Sequence, residues 1–389
     1  MTKKNGNVNE YSVKIKVVGI GGGGGNALSR MRDDFTVKNI DFIAINTDAQ
    51  DLDSCNANKK IYVGKNLTRG LGAGMNPEIG RQAAEENRSE IIEALKGADL
   101  VFITAGLGGG TGSGASSVVA EIARELGSLT IGVVTKPFAF EGAQRNRIAQ
   151  DALIKLKEKV DTMIVVPNDR IFSIIQKDTP IIKAFEYIDE VLRYAVQGIS
   201  EMIAMPGIVN VDFADVRAVM QDAGSALVGI GRGSGQDRAL TAVSQAVNSP
   251  LLEVAIDGAK GVLFTVASNR DLKMTEINDV AKTIAGVVDP NAKIIFGAYN
   301  DRNLSKGQLK VTLVATGFNG SVIKSESSQP LTSLFAPASS SAMLASATTI
   351  KEKEVDRELN EEEKPKVTKE SKKNDDVWDI PTFLRKKRK

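Results

Sequence analysis

Two glycine-rich clusters constrain the fold most strongly, because each lies between an aliphatic run and a stretch with helical periodicity. The first cluster covers residues 19–26 and the second covers residues 106–114. Where a glycine-rich turn opens a helix, backbone N–H groups and the helix dipole attract phosphate. We therefore expect residues 108–114 to cradle the phosphates of a bound nucleotide.

Short aliphatic runs alternate with helical stretches through the first half of the chain. This alternation is typical of an α/β fold, in which helices cover a parallel sheet. In such sheets ligands bind at the carboxyl ends of the strands, where both glycine clusters lie. The predicted strands are residues 14–18, 42–45, 100–103, 130–134 and 163–166.

Beyond these strands the pattern predicts a long central helix and a second, smaller α+β domain. Strand candidates there are residues 261–267, 293–297 and 309–315, around a helical stretch at 276–287. After residue 320 the composition changes to Ser, Ala and Thr and then to a mixed-charge stretch at 351–374 without aromatic residues. This region is predicted to be a disordered linker, since it cannot bury enough apolar surface. The predicted segments are a flexible N-terminus (1–12), a nucleotide-binding domain (13–178), the central helix (179–206), the α+β domain (207–320), the linker (321–374) and a C-terminal peptide with a basic end (375–389).

The chain contains no histidine and one cysteine, Cys55. Without an imidazole, Ser-His-Asp and Cys-His nucleophilic sites and His-ligated zinc are excluded. The single cysteine excludes an intrachain disulfide and favours a reducing, cytoplasmic location. The net charge of +2 gives no indication of nucleic-acid binding. With no apolar run near 20 residues, membrane contact is expected to be indirect.

Taken alone, the first glycine cluster leaves several alternatives open. It contains a G-x-G-x-x-G match, which suits a nicotinamide enzyme with Asp48 on the ribose, another nucleotide binder, or a structural turn. Two phosphate-type loops on one sheet exceed what a dinucleotide needs. The pair Gly64-Lys65 lacks the spacing of a Walker A motif. Backbone amides are therefore expected to hold the phosphates.

Several further motifs extend the comparison to a known family. They are residues 46–48, 67–74, 137–142, 167–170, 196–200 and 210–215. Together with 108–114, they resemble the signature of tubulin and of the bacterial cell-division GTPase family FtsZ. The resemblance implies a tubulin-like GTPase domain that binds GTP and GDP, with Mg²⁺ as the accompanying ion. No residue is assigned as a protein ligand of that ion.

The resemblance also implies which residues form the nucleotide site. Phosphate contacts are expected from Gly22, Gly23, Gly24, Gly25, Asn26, Gly109, Gly110, Thr111 and Gly112, with Ala73 and Gly74 sensing the terminal phosphate. The pocket also includes Asn46, Asp48 and Thr135, and Glu141 and Arg145 would contact the ribose and phosphate side. Asn168, Phe185 and Asp189 would bind guanine, with Phe185 stacking on the ring. By residue type alone, Phe185 is more typical of a core aromatic and Arg145 of a solvated charge.

The most mechanistic motif comprises Asn210, Asp212 and Asp215. Two acids three residues apart at the start of a helix are typical of an N-cap with an acidic third position. The resemblance implies another role, in which this acidic loop inserts against the nucleotide of the next subunit and positions the attacking water. Hydrolysis would then depend on head-to-tail polymerisation, and carboxylates with Mg²⁺ could serve without histidine.

Apolar residues return in the last segment of the chain, namely Trp378, Ile380, Phe383 and Leu384. Such a segment is typical of a peptide that docks into a partner's groove. The resemblance implies membrane-tethering and regulatory division proteins bound through 375–385, and a ring at mid-cell on the inner membrane face. The basic end at 385–389 adds attraction to anionic surfaces. Rival interpretations are an oxidoreductase and a tubulin-like filament for plasmid positioning or cell shape.

Overall fold

The computed structural model describes residues 12–35, 37, 39–176, 178–249 and 256–318. The predicted linker and C-terminal peptide lie outside the described residues, as does nearly all of the predicted flexible N-terminus.

Strands and helices alternate through most of the described part of the chain. Its strands are β1 (Ile15–Ile20), β2 (Ile40–Asn46), β3 (Lys59–Tyr62), β4 (Leu100–Gly106), β5 (Leu129–Lys136), β6 (Thr162–Pro167), β7 (Gly207–Val209), β8 (Gly224–Ser234), β9 (Gly261–Ser268), β10 (Lys293–Asn300) and β11 (Gln308–Thr316). Its α-helices are α1 (Gly21–Asp34), α2 (Ala49–Ser54), α3 (Lys65–Thr68), α4 (Pro77–Glu86), α5 (Arg88–Leu95), α6 (Thr111–Glu125), α7 (Ala143–Lys157), α8 (Ile181–Ala204), α9 (Phe213–Met220), α10 (Arg238–Val247) and α11 (Met274–Ala285). Short 3-10 helices cover Ala139–Glu141 and Asn168–Ser173.

Within the described residues the strands form one sheet of 11 strands in the order β3-β2-β1-β4-β5-β6-β8-β11-β9-β10-β7. The first six strands are parallel, and β1 lies between β2 and β4. From β1 the chain adds β2 and β3 on one side and then β4, β5 and β6 on the other, so the strand order reverses between β1 and β4. Doubly wound sheets bind ligands at such a point. Both glycine clusters follow these two strands, so they meet at one edge of the sheet. The predicted α/β fold class is confirmed.

The second part of the sheet is mixed. Strand β11 pairs antiparallel with β8 and β9, β10 runs parallel to β9, and β7 is an antiparallel edge. This mixed part joins the parallel part where β8 pairs with β6. In the described chain the two strands form a parallel ladder of three residue pairs, from Thr162 with Gly224 to Ile164 with Ala226. Strands β3, β7 and β8 are not among the predicted strands.

Strand β8 is hard to recognise from the sequence because it is rich in glycine. Glycine alternates through it, and glycine is depleted in strands. A Cβ at Gly229 would lie 1.9 Å from the carbonyl oxygen of Ala246, and one at Gly231 would lie 1.9 Å from that of Ala242. Helix α10 therefore packs its backbone directly on this face of β8, which a larger side chain would prevent.

Apolar side chains on both faces of the sheet form the core. Helices α1 and α8 cover one face of the parallel part, and α4, α5, α6 and α7 cover the other. Helix α8 buries Leu192, Val196 and Ile199 against the sheet. Helix α8 begins at Ile181, close to the start predicted from the sequence. It is long enough to pack against both parts of the sheet.

A buried charged cluster fixes the carboxyl-terminal end of α8. The ammonium of Lys310 on β11 lies 2.9 Å from Oε2 of Glu201 on α8 and 3.3 Å from Oδ2 of Asp301. The hydroxyl of Tyr299 on β10 donates to the same Glu201 oxygen at 2.7 Å. Burial, followed by the charge of Glu201, raises the pKa of Tyr299, so the phenol stays neutral. This cluster ties α8 to the mixed part of the sheet.

Replacing Lys310 with Met is expected to lower the free energy of unfolding by about 3–5 kcal/mol, because two buried carboxylates lose their cation. Urea unfolding followed by circular dichroism measures the change. Adding Glu201→Gln to Lys310→Met should recover part of the loss, since one buried charge is then removed.

The matched control is Lys159→Met, whose exposed ion pair with Glu121 spans 3.0 Å. Its loss should stay below about 1 kcal/mol. A similarly small loss for Lys310→Met would show that the buried cluster does not stabilise the fold.

Candidate nucleotide-binding site

A cleft of about 290 Å³ opens at the carboxyl ends of β1, β4, β5 and β6. Of the residues predicted for the site, those that line it are Gly22, Gly23, Gly109, Gly110, Thr111, Gly112, Thr135, Glu141, Arg145, Asn168, Phe185 and Asp189. Lining residues that the sequence analysis did not propose include Gly21, Gly106, Leu107, Pro137, Ile188 and Leu192. The cleft thus brings both glycine clusters and the first half of α8 into one cavity.

Two helix N-termini meet at one end of this cleft. Helix α1 starts at Gly21 and α6 starts at Thr111, so each helix begins inside a glycine cluster. Neither helix has an acidic residue in its first turn, so no carboxylate opposes an anion there. First-turn N–H groups lack intrahelical acceptors, and each helix dipole is positive at this end. This end of the cleft is built to hold phosphate groups.

Close backbone packing explains several of the glycines. A Cβ at Gly24 would lie 2.4 Å from the carbonyl oxygen of Thr104 on β4. A Cβ at Gly112 would lie 2.6 Å from the carbonyl oxygen of Gly106. Both distances are too short for a side chain, so these glycines let α1 and α6 approach the strands beneath them.

Some predicted phosphate residues lie beside the cleft and do not line it. Gly24 is buried where α1 packs on β4, Gly25 lies near Cys55, and Asn26 is exposed. Ala73 is buried beside Gly110, where the Cβ of Ala73 limits the space, and Gly74 has a φ of 56°.

The loop after β2 supports the cradle from the side. Asn46 is buried, and its amide nitrogen donates to Asp51 at 2.7 Å while its oxygen accepts from the N–H of Thr47 at 2.8 Å. Asp48 caps α2 by accepting from the N–H of Asp51 at 3.1 Å. The hydroxyls of Thr47 and Thr111 lie 2.6 Å apart, which links this loop to the start of α6. Asn46 and Asp48 therefore shape the loop in this structure.

The opposite end of the cleft is suited to a planar ring. Phe185 is 42% exposed and touches Phe138 edge-on, with ring centroids 5.7 Å apart, so it is not a core residue. Asn168 is buried, and its Oδ1 has no hydrogen-bond partner in the described structure. Buried polar atoms are normally paired. A donor on a bound base would satisfy this oxygen.

Two ion pairs involve acids that line the cleft. Arg145 pairs with Glu141, and Glu141 also accepts from the N–H of Phe138 at 2.9 Å. Arg30 pairs with Asp189 at 3.2 Å. Burial raises the pKa of Asp189 from 3.8 to about 6, while Arg30 opposes this rise and Glu186 adds to it. Arg145 is thus half-solvated and ion-paired while it faces the cleft.

The acidic loop lies away from the cleft. None of Asn210, Asp212 and Asp215 is among the residues that line it. Asp212 occupies the N-cap position of α9, but its exposed carboxylate makes no capping hydrogen bond. Asn210 accepts from the N–H of Gly207 at 2.7 Å. The N-cap interpretation is therefore correct for the backbone position and leaves the Asp212 carboxylate unexplained.

Neighbouring glycines in α1 give a matched test of the packing. Gly24→Ala is expected to destabilise the protein by about 1–3 kcal/mol, because the new methyl group overlaps the Thr104 carbonyl. Gly25→Ala adds a methyl 3.6 Å from the sulfur of Cys55, an ordinary contact. It should be neutral or stabilising by up to about 1 kcal/mol, since alanine favours helix. Thermal and urea unfolding of the two variants measure the difference; equal stabilities would refute this account of Gly24.

The fold and the cleft together define a doubly wound α/β protein with a cleft suited to a nucleotide. Comparison with known proteins specifies this class further. Residues 14–176 match the model for the Tubulin/FtsZ family, GTPase domain, and residues 224–319 match the FtsZ family, C-terminal domain. The chain belongs to the Tubulin/FtsZ family and is a GTPase.

Solved structures agree with this assignment. An FtsZ dimer from M. jannaschii is 48% identical with a TM-score of 0.75, covering 79% of this chain and 89% of that one. A mutant FtsZ from the same organism is 49% identical with a TM-score of 0.74, covering 79% and 91%. CetZ2 from Haloferax volcanii, at 22% identity and a TM-score of 0.67 over 78% and 92%, shows the shared fold alone.

The family assignment decides between the alternatives that the first glycine cluster left open. The chain binds GTP and GDP and belongs to the filament-forming cytoskeleton of cell division. Among the described helices, no segment has the length and hydropathy required to cross a bilayer.

Proposed function

We propose that GTP hydrolysis takes place at a site divided between two molecules. One subunit holds the phosphates in the glycine-lined cleft, and residues 210–215 of the next subunit supply the acids. The observation that carries this proposal is that the acids lining the cleft are already ion-paired. In the described structure these are Glu141 and Asp189, and each is paired with an arginine.

The acidic loop offers an exposed carboxylate that is not ion-paired in the described structure. The carboxylate of Asp212 is exposed and makes no bond to the first turn of α9, so it is available to a second molecule. Asp215 lies one turn further on the same helix. We infer that these carboxylates accept hydrogen bonds from the attacking water and orient it toward the terminal phosphate, while Asn210 holds the loop. Phosphoryl transfer depends mainly on such positioning.

Within the cleft the residues divide by chemistry. The N–H groups at the starts of α1 and α6, with the hydroxyl of Thr111, would bind the phosphates. Asn168, Phe185 and Asp189 would bind guanine, with Asp189 accepting from the ring N–H and the amino group. Glu141 and Arg145 would face the ribose and phosphate side. The family's GTP specificity then follows from groups at the base end of the cleft.

Magnesium fits the oxygens at the phosphate end. The described residues contain no group of three acids that could hold a metal on their own. Magnesium in nucleotide sites is bound largely by phosphates and water. The hydroxyl of Thr111, which lines the cleft, is a protein oxygen suited to complete such a shell. When bound, the ion would neutralise charge on the phosphate oxygens.

Head-to-tail self-association follows from a divided site, because each interface completes one active centre. A heterologous contact of this kind generates filaments. Support comes from the relatives, one described as an FtsZ dimer and another as a CetZ2 protofilament. We further propose that the filaments form the ring at the future septum, on the inner membrane face. Apolar residues within 375–385 would bind membrane-tethering and regulatory partners.

Asp212→Ala is expected to bind GTP normally and to lose nearly all hydrolysis. The complementary variant is Gly110→Ala, whose methyl would lie 2.7 Å from the Cβ of Ala73 and distort the cradle. Mixed in equal amounts, the two inactive variants should recover up to about a quarter of the wild-type rate, the share of random contacts with both intact halves. Phosphate release and sedimentation with GTP measure both effects.

The control is Glu93→Ala, which removes an exposed acid outside both halves of the site. It should hydrolyse GTP at the normal rate. Normal hydrolysis by Asp212→Ala would overturn the divided site, as would a rate per molecule that does not depend on protein concentration.

Nucleotide affinity is expected to fall at low pH because of Asp189. Its pKa is about 6 in the free protein, so the carboxylate becomes a neutral acid below that pH and loses an acceptor for the base. The affinity for GDP should then fall by up to about tenfold per pH unit, the limit for one coupled proton. The terminal phosphate itself titrates near pH 6. Asp189→Asn is therefore the reference, and identical pH profiles for the two proteins would exclude the proposed contact.

A further inference from the structure

A second, polar cleft of about 550 Å³ lies between α1 and α8, behind the base end of the nucleotide cleft. Its lining residues are Arg30, Asp33, Glu186, Asp189, Glu190 and Arg193. Asp189 lines both clefts. Arg30 lines the second cleft and is not among the described residues that line the nucleotide cleft. The Asp189 carboxylate therefore stands in the wall between the two cavities.

Arg30 reaches this carboxylate from the side away from the nucleotide cleft. Its Nε lies 3.2 Å from Oδ2 of Asp189, and its NH1 lies 3.8 Å from Oε1 of Glu186. The contact with Asp189 is therefore an ion pair through Oδ2, made by a residue that lines the second cleft. Arg30 thus pairs with the Asp189 carboxylate while Asp189 also lines the nucleotide cleft.

We propose that Arg30 is a positioning residue for base specificity, which holds the Asp189 carboxylate from behind so that it can select guanine. This inference rests on the proposed contact between Asp189 and the base. Arg30 itself is not among the described residues that line the nucleotide cleft. Its guanidinium is suited to this task because it stays charged and its donors have a fixed geometry.

The surroundings of Asp189 make such a cation necessary. Burial disfavours the carboxylate, the negative charge of Glu186 adds to that effect, and Arg30 opposes both. Neutral Asp189 would offer a donor where the guanine ring also presents donors, and discrimination would be lost. The charged groups around Asp189 are Arg30 and Asp33 on α1, Glu186, Glu190 and Arg193 on α8, and Glu141 and Arg145 across the nucleotide cleft.

The other cations nearby are engaged with different partners. Arg193 donates to Glu190 at 3.1 Å and to Gln197 at 3.1 Å. Arg145 pairs with Glu141. In the described structure, Arg30 is the one cation paired with Asp189. Its loss would leave a desolvated carboxylate facing further acids.

The test compares Arg30→Met and Arg30→Lys with wild type by titrating GDP and IDP between pH 5 and 8. Inosine lacks the exocyclic amino group that Asp189 would bind. Arg30→Met is expected to raise the midpoint of the pH dependence by about one unit, and so to weaken GDP binding at pH 6 by about fivefold. IDP should be weakened less, and Arg30→Lys should restore part of both effects.

Arg32→Met is the control, because Arg32 lies on the same helix and donates to Asn56, outside both clefts. It should leave the midpoint and the GDP to IDP ratio unchanged. The proposal is wrong if Arg30→Met leaves both quantities at their wild-type values, or weakens GDP and IDP equally with an unmoved midpoint.

Asp189→Asn distinguishes failure of the proposed Asp189 contact with the base from failure of the proposed role of Arg30. If it abolishes the preference for GDP while Arg30→Met does not, only the role of Arg30 fails. If Asp189→Asn itself keeps the preference, the proposed base contact fails and the role of Arg30 fails with it. Thermal unfolding of each variant establishes that the fold is intact, and Arg30→Lys keeps the comparison interpretable where Arg30→Met is unstable.

Discussion

The nucleotide site depends on the close approach of two helix backbones to two neighbouring strands. Gly24 allows α1 to lie against the Thr104 carbonyl, and Gly112 allows α6 to lie against the Gly106 carbonyl. Because β1 and β4 are adjacent, both helix N-termini then point at one volume. Partial positive charge from two dipoles and a set of free N–H groups gather there without a lysine. Side chains of α8 and the neighbouring loops add selectivity to this backbone cradle.

Helix α8 connects the two kinds of chemistry proposed for this protein. Asp189 near its start faces the base end of the cleft, and Glu201 near its end is held by Lys310 and Tyr299. The two acids are 12 residues apart in the sequence, about 18 Å along a helix. The chain then continues through β7 to the acidic loop. One continuous helix therefore links Asp189 to Glu201, and the buried cluster fixes the end of α8 that precedes the acidic loop.

Local signals made much of this structure predictable. The eight strands predicted from aliphatic runs are present within three residues of their expected bounds, and the long helix begins close to its expected start. Strand β8 was not predictable, because its alternating glycines are explained only by the backbone of α10 on the other side of the contact. Arg30 carries no sequence signal either, since its partner Asp189 is 159 residues away. By residue type alone Phe185 is typical of a core aromatic. The family resemblance predicts it in the nucleotide site, and the structure shows that it lines the cleft.

The seam between the two parts of the sheet has a mechanical consequence. Strands β6 and β8 share three residue pairs, whereas β11 pairs with β8 along nine. A ladder so short resists bending weakly compared with the sheet on either side, because few hydrogen bonds cross it. Besides this ladder, the two parts are linked by α8 with its buried charges and by side-chain contacts such as Arg124 with Asp222 at 2.7 Å. In a filament of such subunits, bending at the seam would add curvature inside each subunit to the curvature between subunits.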